Sequence, residues 1–117
     1  MTEVRVIARS VARKGKEEQL RALLKGMLVP TRGEQGCKSY ELYESDSMGR
    51  FYFDETWENH AALDKHIATP HFRHLEQTVG ELLEGPFEVN ILRRILPDAE
   101  PETLTLNTNS LSRRDTK

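Results

Sequence analysis

The amino-acid sequence predicts an α+β fold: one four-stranded antiparallel sheet with its helices on a single face. Period-two alternation of apolar and polar residues recurs at four places, at residues 3–12, 37–44, 51–59 and 87–93. Apolar stripes at three- and four-residue spacing follow the first and the third of these, which makes them helical crossovers. Only the turn Ser45-Asp46-Ser47-Met48-Gly49 separates the second from the third, so those two strands form a hairpin.

The first strand sets Val4, Val6 and Ala8 on one side and Arg5, Ile7, Arg9 and Val11 on the other, giving both faces apolar character. After Lys14-Gly15, the residues Leu20, Leu23, Leu24, Met27 and Leu28 mark an amphipathic helix that Pro30 ends, with Gly33 and Gly36 in the loop beyond. Cys37–Glu44 sets Tyr40 and Leu42 against Ser39, Glu41 and Tyr43. The third strand carries Phe51, Phe53, Glu55 and Trp57 on one side and stops at Asn59, a residue suited to cap a helix that runs to about Ala68. Thr69-Pro70 breaks that helix and Pro70 opens the next, which turns Phe72, Leu75, Val79, Leu82 and Leu83 inward until Gly85-Pro86. In the last strand Phe87, Val89, Ile91 and Arg93 alternate with Glu88, Asn90 and Leu92.

Strand, helix, strand, strand, helix pair, strand is the split βαβ plan of the ferredoxin-like fold, and both right-handed crossovers put helices on the same side. The opposite face, with Ile7, Val11, Tyr43 or Tyr52, and Leu92, is then bare. A second copy is expected to cover it in a two-fold homodimer.

One domain, residues 1–96, accounts for these elements, and residues 97–117 form a polar tail whose Leu104, Leu106 and Leu111 could dock on a partner subunit. The 17 Lys and Arg against 19 Asp and Glu leave a net charge of -2 with interspersed signs, which favours neither nucleic acid nor an anionic membrane as a partner. A small, roughly neutral molecule fits better. Cys37 is the only cysteine, so no internal disulfide forms. The start MTEVRVIARS lacks an apolar signal core and no apolar run approaches the roughly 20 residues that span a bilayer, so the expectation is a cytoplasmic protein.

The stretch Phe51–Phe72 aims aromatic rings, a carboxyl and an imidazole at one shared space. His66 falls one helical turn after Leu63 on the inward stripe, where a neutral imidazole serves as general base; a structural histidine is the plainer reading. Trp57 offers a wall for a planar ring and an indole N–H for a substrate oxygen, or else simply packs the core. Glu55 on an apolar strand face calls for an ion pair with Arg9, Arg93 or Arg94; without one it orients His66 or acts as acid, its pKa raised by burial. Phe72 and Met27 pack the floor, the Tyr40 hydroxyl reaches toward substrate, and Asn90 is a further donor. His71 and His74, three apart, could share a metal, but no third ligand stands at a matching spacing, so His71 is placed at the pocket rim and no metal is expected. Cys37 reads as a small buried apolar residue.

With Glu55-Thr56-Trp57-Glu58, Leu63, His66 and Thr69-Pro70-His71-Phe72, joined by Gly36-Cys37, Tyr40 and Val6-Ile7-Ala8, the sequence resembles the antibiotic biosynthesis monooxygenase domain family over roughly residues 3–95. The resemblance implies a dimeric ferredoxin-like barrel and a cofactor-free monooxygenase that oxidises quinols or polyketide aromatics with dioxygen. The family also includes an isomerase of a phosphorylated diketone and a haem-degrading branch. Ser10 stands about where that branch has a strand Asn, and Leu75 or Glu76 about where it has its axial His, which argues against haem. A non-catalytic dimeric ligand-binding module is the alternative outside enzymes.

Overall fold

A computed structural model describes residues 2–98, so the tail expectations for Leu104, Leu106 and Leu111 lie outside the described residues. The strands are β1 (Val4–Val11), β2 (Cys37–Glu44), β3 (Arg50–Trp57) and β4 (Glu88–Leu92). They form one sheet in the order β2-β3-β1-β4, every neighbouring pair antiparallel. This is the ferredoxin-like arrangement, and the helices α1 (Glu17–Lys25), α2 (Leu28–Arg32), α3 (His60–Ile67) and α4 (Pro70–Thr78) connect it.

Alternation decides which side chains meet the helices. On β1, Val4, Val6, Ala8 and Ser10 are buried, and opposite them on β3 so are Phe51, Phe53, Glu55 and Trp57. The outer face keeps Ile7 and Val11 half-buried, leaves Tyr43 and Leu92 exposed, and carries the bidentate Arg5–Asp54 pair at 2.8–2.9 Å. Leu20 and Leu24 of α1 are wholly buried, the core anchor of the first crossover.

Several boundaries differ from the sequence reading. The first helix stops at Lys25, capped by Gly26, and Pro30 does not terminate it but sits inside α2. Pro30 is the third residue of that short helix, in the turn where a backbone N–H has no intrahelical partner to lose. The helix begun at Pro70 ends at Thr78 and tightens into a 3-10 turn, Val79–Leu82, before Leu83 bridges to Ala12. β4 holds only five residues, all exposed, because it is an edge strand and the space beneath it is hollow.

Candidate active site

A cavity of about 510 Å³ opens between α3, α4 and the sheet, lined among others by Tyr40, Phe53, Glu55, His66, Phe72 and Val89. A wider depression of about 820 Å³ between α1 and the 3-10 turn is lined by Arg13, Lys16, Gln19 and Leu23, among others; it lies open to solvent and brings no catalytic group together. The helix-sheet cavity is therefore the candidate site.

His66 is placed by capping at both ends of its surroundings. Asn59, extended, accepts a hydrogen bond from the Ala62 N–H at 2.9 Å and starts α3, so that Leu63 and His66 turn inward. Thr69 accepts from the Phe72 N–H and Pro70 opens α4, which brings Phe72 against the imidazole at 5.1 Å between ring centres. Trp57 lies against the ring at 4.7 Å and Tyr40 meets it edge-on at 5.7 Å. Only 2 % of His66 remains exposed.

Its polar partner is a residue that sequence reasoning missed. Nδ1 of His66 lies 2.8 Å from Glu34 Oε2, in the loop between α2 and β2, and Nε2 of His71 lies 2.6 Å from the same oxygen. Gly36 makes this approach possible: its φ is +89°, and a Cβ there would come within 2.6 Å of Ala62 Cβ on α3. The loop thus lies flush against the helix that carries His66. With Nδ1–H donating to the carboxylate, Nε2 carries the lone pair; it has no hydrogen bond among the described residues, and the ring that bears it lines the cavity. Burial holds the imidazole below its ordinary pKa, with Glu34 acting in the opposite direction, so it is neutral near pH 7.

Among the described residues Glu55 has no cation partner. Arg9 points to the outer face and pairs with Glu88 at 3.4 Å, while Arg93 and Arg94 lie beside Glu3 and Arg5 around a different depression. Instead Glu55 Oε1 accepts from Trp57 Nε1 at 2.9 Å, so the indole N–H expected to reach substrate is already used. Burial pushes the Glu55 carboxyl up to about 7, with the indole hydrogen bond working against that rise. Nor does Glu55 orient His66; Glu34 has that task.

Of the expected site residues, His66, Glu55, Tyr40 and Phe72 line the cavity. Trp57 is fully buried behind His66 and braces it. Asn90 pairs across from Ile7 and takes the outer side of β4, because Val89 and Ile91 occupy the cavity side. His71 faces Glu34 and not the cavity mouth, and His74 is exposed. Burial raises the Tyr40 hydroxyl pKa, helped by the nearby Glu55, so Tyr40 stays a neutral donor. Burial likewise raises Cys37, which keeps it a thiol.

Among the described residues no helix is long and apolar enough to cross a membrane. The family model for antibiotic biosynthesis monooxygenase matches residues 3–78. The chain is 45% identical over 89 residues to the putative monooxygenase Rv0793 of Mycobacterium tuberculosis, spanning 76% of this chain and 88% of that one. The solved structure of Rv0793 superposes with a TM-score of 0.78, covering 84% of this chain and all of the other. PA3566 of Pseudomonas aeruginosa superposes at 0.77 with 31% identity, over 82% of this chain and 97% of that one. With a family model matching most of its length and a relative 45% identical, the chain belongs to the antibiotic biosynthesis monooxygenase family.

Proposed function

We propose that the protein is a cofactor-independent monooxygenase of a small phenolic or quinol-type substrate. The observation that carries this reading is His66: its Nδ1 is tied to Glu34, and its ring lines a largely apolar cavity of about 510 Å³. A neutral imidazole held in that tautomer takes a phenolic proton at Nε2. The resulting anion passes one electron to dioxygen far more readily than the phenol does. Recombination at a ring carbon and loss of water then convert phenol plus dioxygen into quinone plus water, which balances without an external reductant.

Glu55, protonated in part near neutrality, is the cavity's acid and can hydrogen-bond the developing oxyanion. Phe72 and Phe53 supply faces for a planar ring. Among the described residues no Arg or Lys lines the cavity, while Glu55, Asp64 and Glu76 do. That charge balance favours a neutral aromatic over the phosphorylated hydroxyketone of the isomerase alternative. The outer sheet face, where Tyr43 and Leu92 are exposed, supports a homodimer, in keeping with a cytoplasmic enzyme.

Oxygen uptake with a panel of naphthoquinols and phenols, run beside anaerobic controls, tests the reading. Turnover that consumes dioxygen and stops without it is expected. Turnover that persists anaerobically would point to an isomerase, and saturable binding without product for any of them would point to a binding module.

A further inference from the structure

Behind the cavity, three side chains from three different elements converge on one point. One ligand atom from each of Glu34, His66 and His71 lies within 4.8 Å of the other two, and the shared carboxylate oxygen stands 2.8 Å and 2.6 Å from the two ring nitrogens. We propose that Glu34, His66 and His71 form a binding site for a divalent first-row transition ion, with Zn(II) as the reference occupant.

The donor chemistry suits such an ion. Two imidazole nitrogens and one carboxylate oxygen match borderline cations that bind His and Glu together, and three protein ligands leave further positions for water. Hard cations such as Mg(II) prefer all-oxygen surroundings. Ligand atoms about 2.1 Å from a common ion lie about 3.0–3.4 Å apart at octahedral to tetrahedral angles. The two oxygen–nitrogen contacts therefore open by several tenths of an ångström, while the two ring nitrogens, within 4.8 Å of each other, draw together to the same spacing. Glu34, in a loop, and His71, the most exposed of the three, are the members that adjust, while His66 is clamped between Trp57 and Phe72. The side chains are 12 % (Glu34), 2 % (His66) and 22 % (His71) exposed, so an ion enters from the His71 side and keeps its waters there.

Without an ion, both rings donate N–H to Glu34 Oε2, which satisfies all three groups. With one, lone pairs replace those N–H bonds, and each neutral ring carries its proton on the other nitrogen. For His66 that nitrogen is Nε2, so occupancy turns the cavity-facing acceptor into a donor. Where His66 is the general base, as in the function proposed above, an ion at this site silences it; that consequence rests on the earlier reading, and the site itself does not.

The test uses the full chain, stripped with chelator and titrated with Zn(II) by calorimetry and with Co(II) by visible absorption. One ion per chain is expected. His71→Ala and Glu34→Gln should each weaken binding by at least about 100-fold, since loss of groups one shell further out already costs 10–100-fold. His74→Ala, at an exposed position outside the cluster, should leave it unchanged. Circular dichroism checks that each variant is folded, and Glu34→Gln, which retains the side chain's shape, carries the test if His71→Ala does not fold. Absence of binding, binding that survives both replacements, or binding lost with His74 overturns the proposal. Histidine nitrogen NMR reads the tautomer directly: Zn(II) should convert the His66 Nε2 signal from acceptor to N–H type. Because none of these readouts uses turnover, failure of the site and failure of the oxygenase reading are separable.

Discussion

The helix-covered side of the sheet has two regions built on opposite terms. At the Trp57 end polar groups pair with one another, indole to Glu55 and Glu34 to two imidazoles, and the rings close against one another. At the β4 end the walls are largely apolar, Val89 and Ile91 stay more than half exposed, and no described residue fills the space between them and α4. A packed polar nest resists rearrangement, whereas an open apolar hollow admits a ligand. His66 belongs to both, its Nδ1 bonded to Glu34 and its ring on the cavity wall. The contrast teaches that rigidity and access are supplied by different segments and meet in one side chain.

Breaking the packed region should have the largest effect. Trp57→Ala removes a wholly buried ring and strands Glu55, and a loss of about 3–5 kcal/mol in urea unfolding is expected. A loss under 1 kcal/mol would mean that the nest is loose, and the contrast with the hollow would disappear. Next comes His66→Ala: with a quinol that the wild type oxidises, kcat should fall by about 10²-fold or more while the fold persists. Unchanged turnover with weakened folding would assign His66 to structure alone.

A subtler effect concerns protons. The Glu55 carboxyl, raised from 4.5 to about 7 by burial, stays protonated in the folded chain at pH values where the unfolded chain has released its proton. Its contribution to stability is fully present below about 4.5 and lost as pH rises through about 7, on the order of 3 kcal/mol in all. His66, lowered by burial from 6.5, acts in the other sense, costing stability as pH falls below that value. Stability of Glu55→Gln measured against wild type across pH 4–8 isolates the first term. Parallel curves would show that Glu55 is solvated after all. The smallest effect belongs to the outer face: Asn90→Ala should change stability by less than about 0.5 kcal/mol and leave ligand affinity alone. A clear loss of affinity would mean that β4 presents its other side to the cavity.

Much of this was legible in the sequence, for identifiable reasons. Strict alternation in β3 put Phe51, Phe53, Glu55 and Trp57 on one face, and Asn59 and Thr69-Pro70 marked both helix starts through local hydrogen bonding that needs no tertiary context. What stayed hidden was pairing across distance. Glu34 lies 32 residues before His66, in a loop whose glycines read as a turn, and no periodicity links the two. The same blindness led from Glu55 to an arginine partner, because which side of β1 faces Glu55 depends on register: Val6 stands opposite it and Arg9 points away. Pro30 misled for a local reason, since a proline that stops one helix can equally sit in the first turn of the next.

The corner at Thr69-Pro70 has a consequence of its own. On an unbroken helix, positions 66 and 71 would sit about 140° apart around the axis, five steps of about 100°, and could never address the same oxygen. Because the chain turns there, two imidazoles that belong to successive helices face each other across a single carboxylate. Adding or deleting one residue at that bend would part them while leaving each helix whole, so the proton and metal chemistry available to this protein is a property of the bend and of neither helix alone.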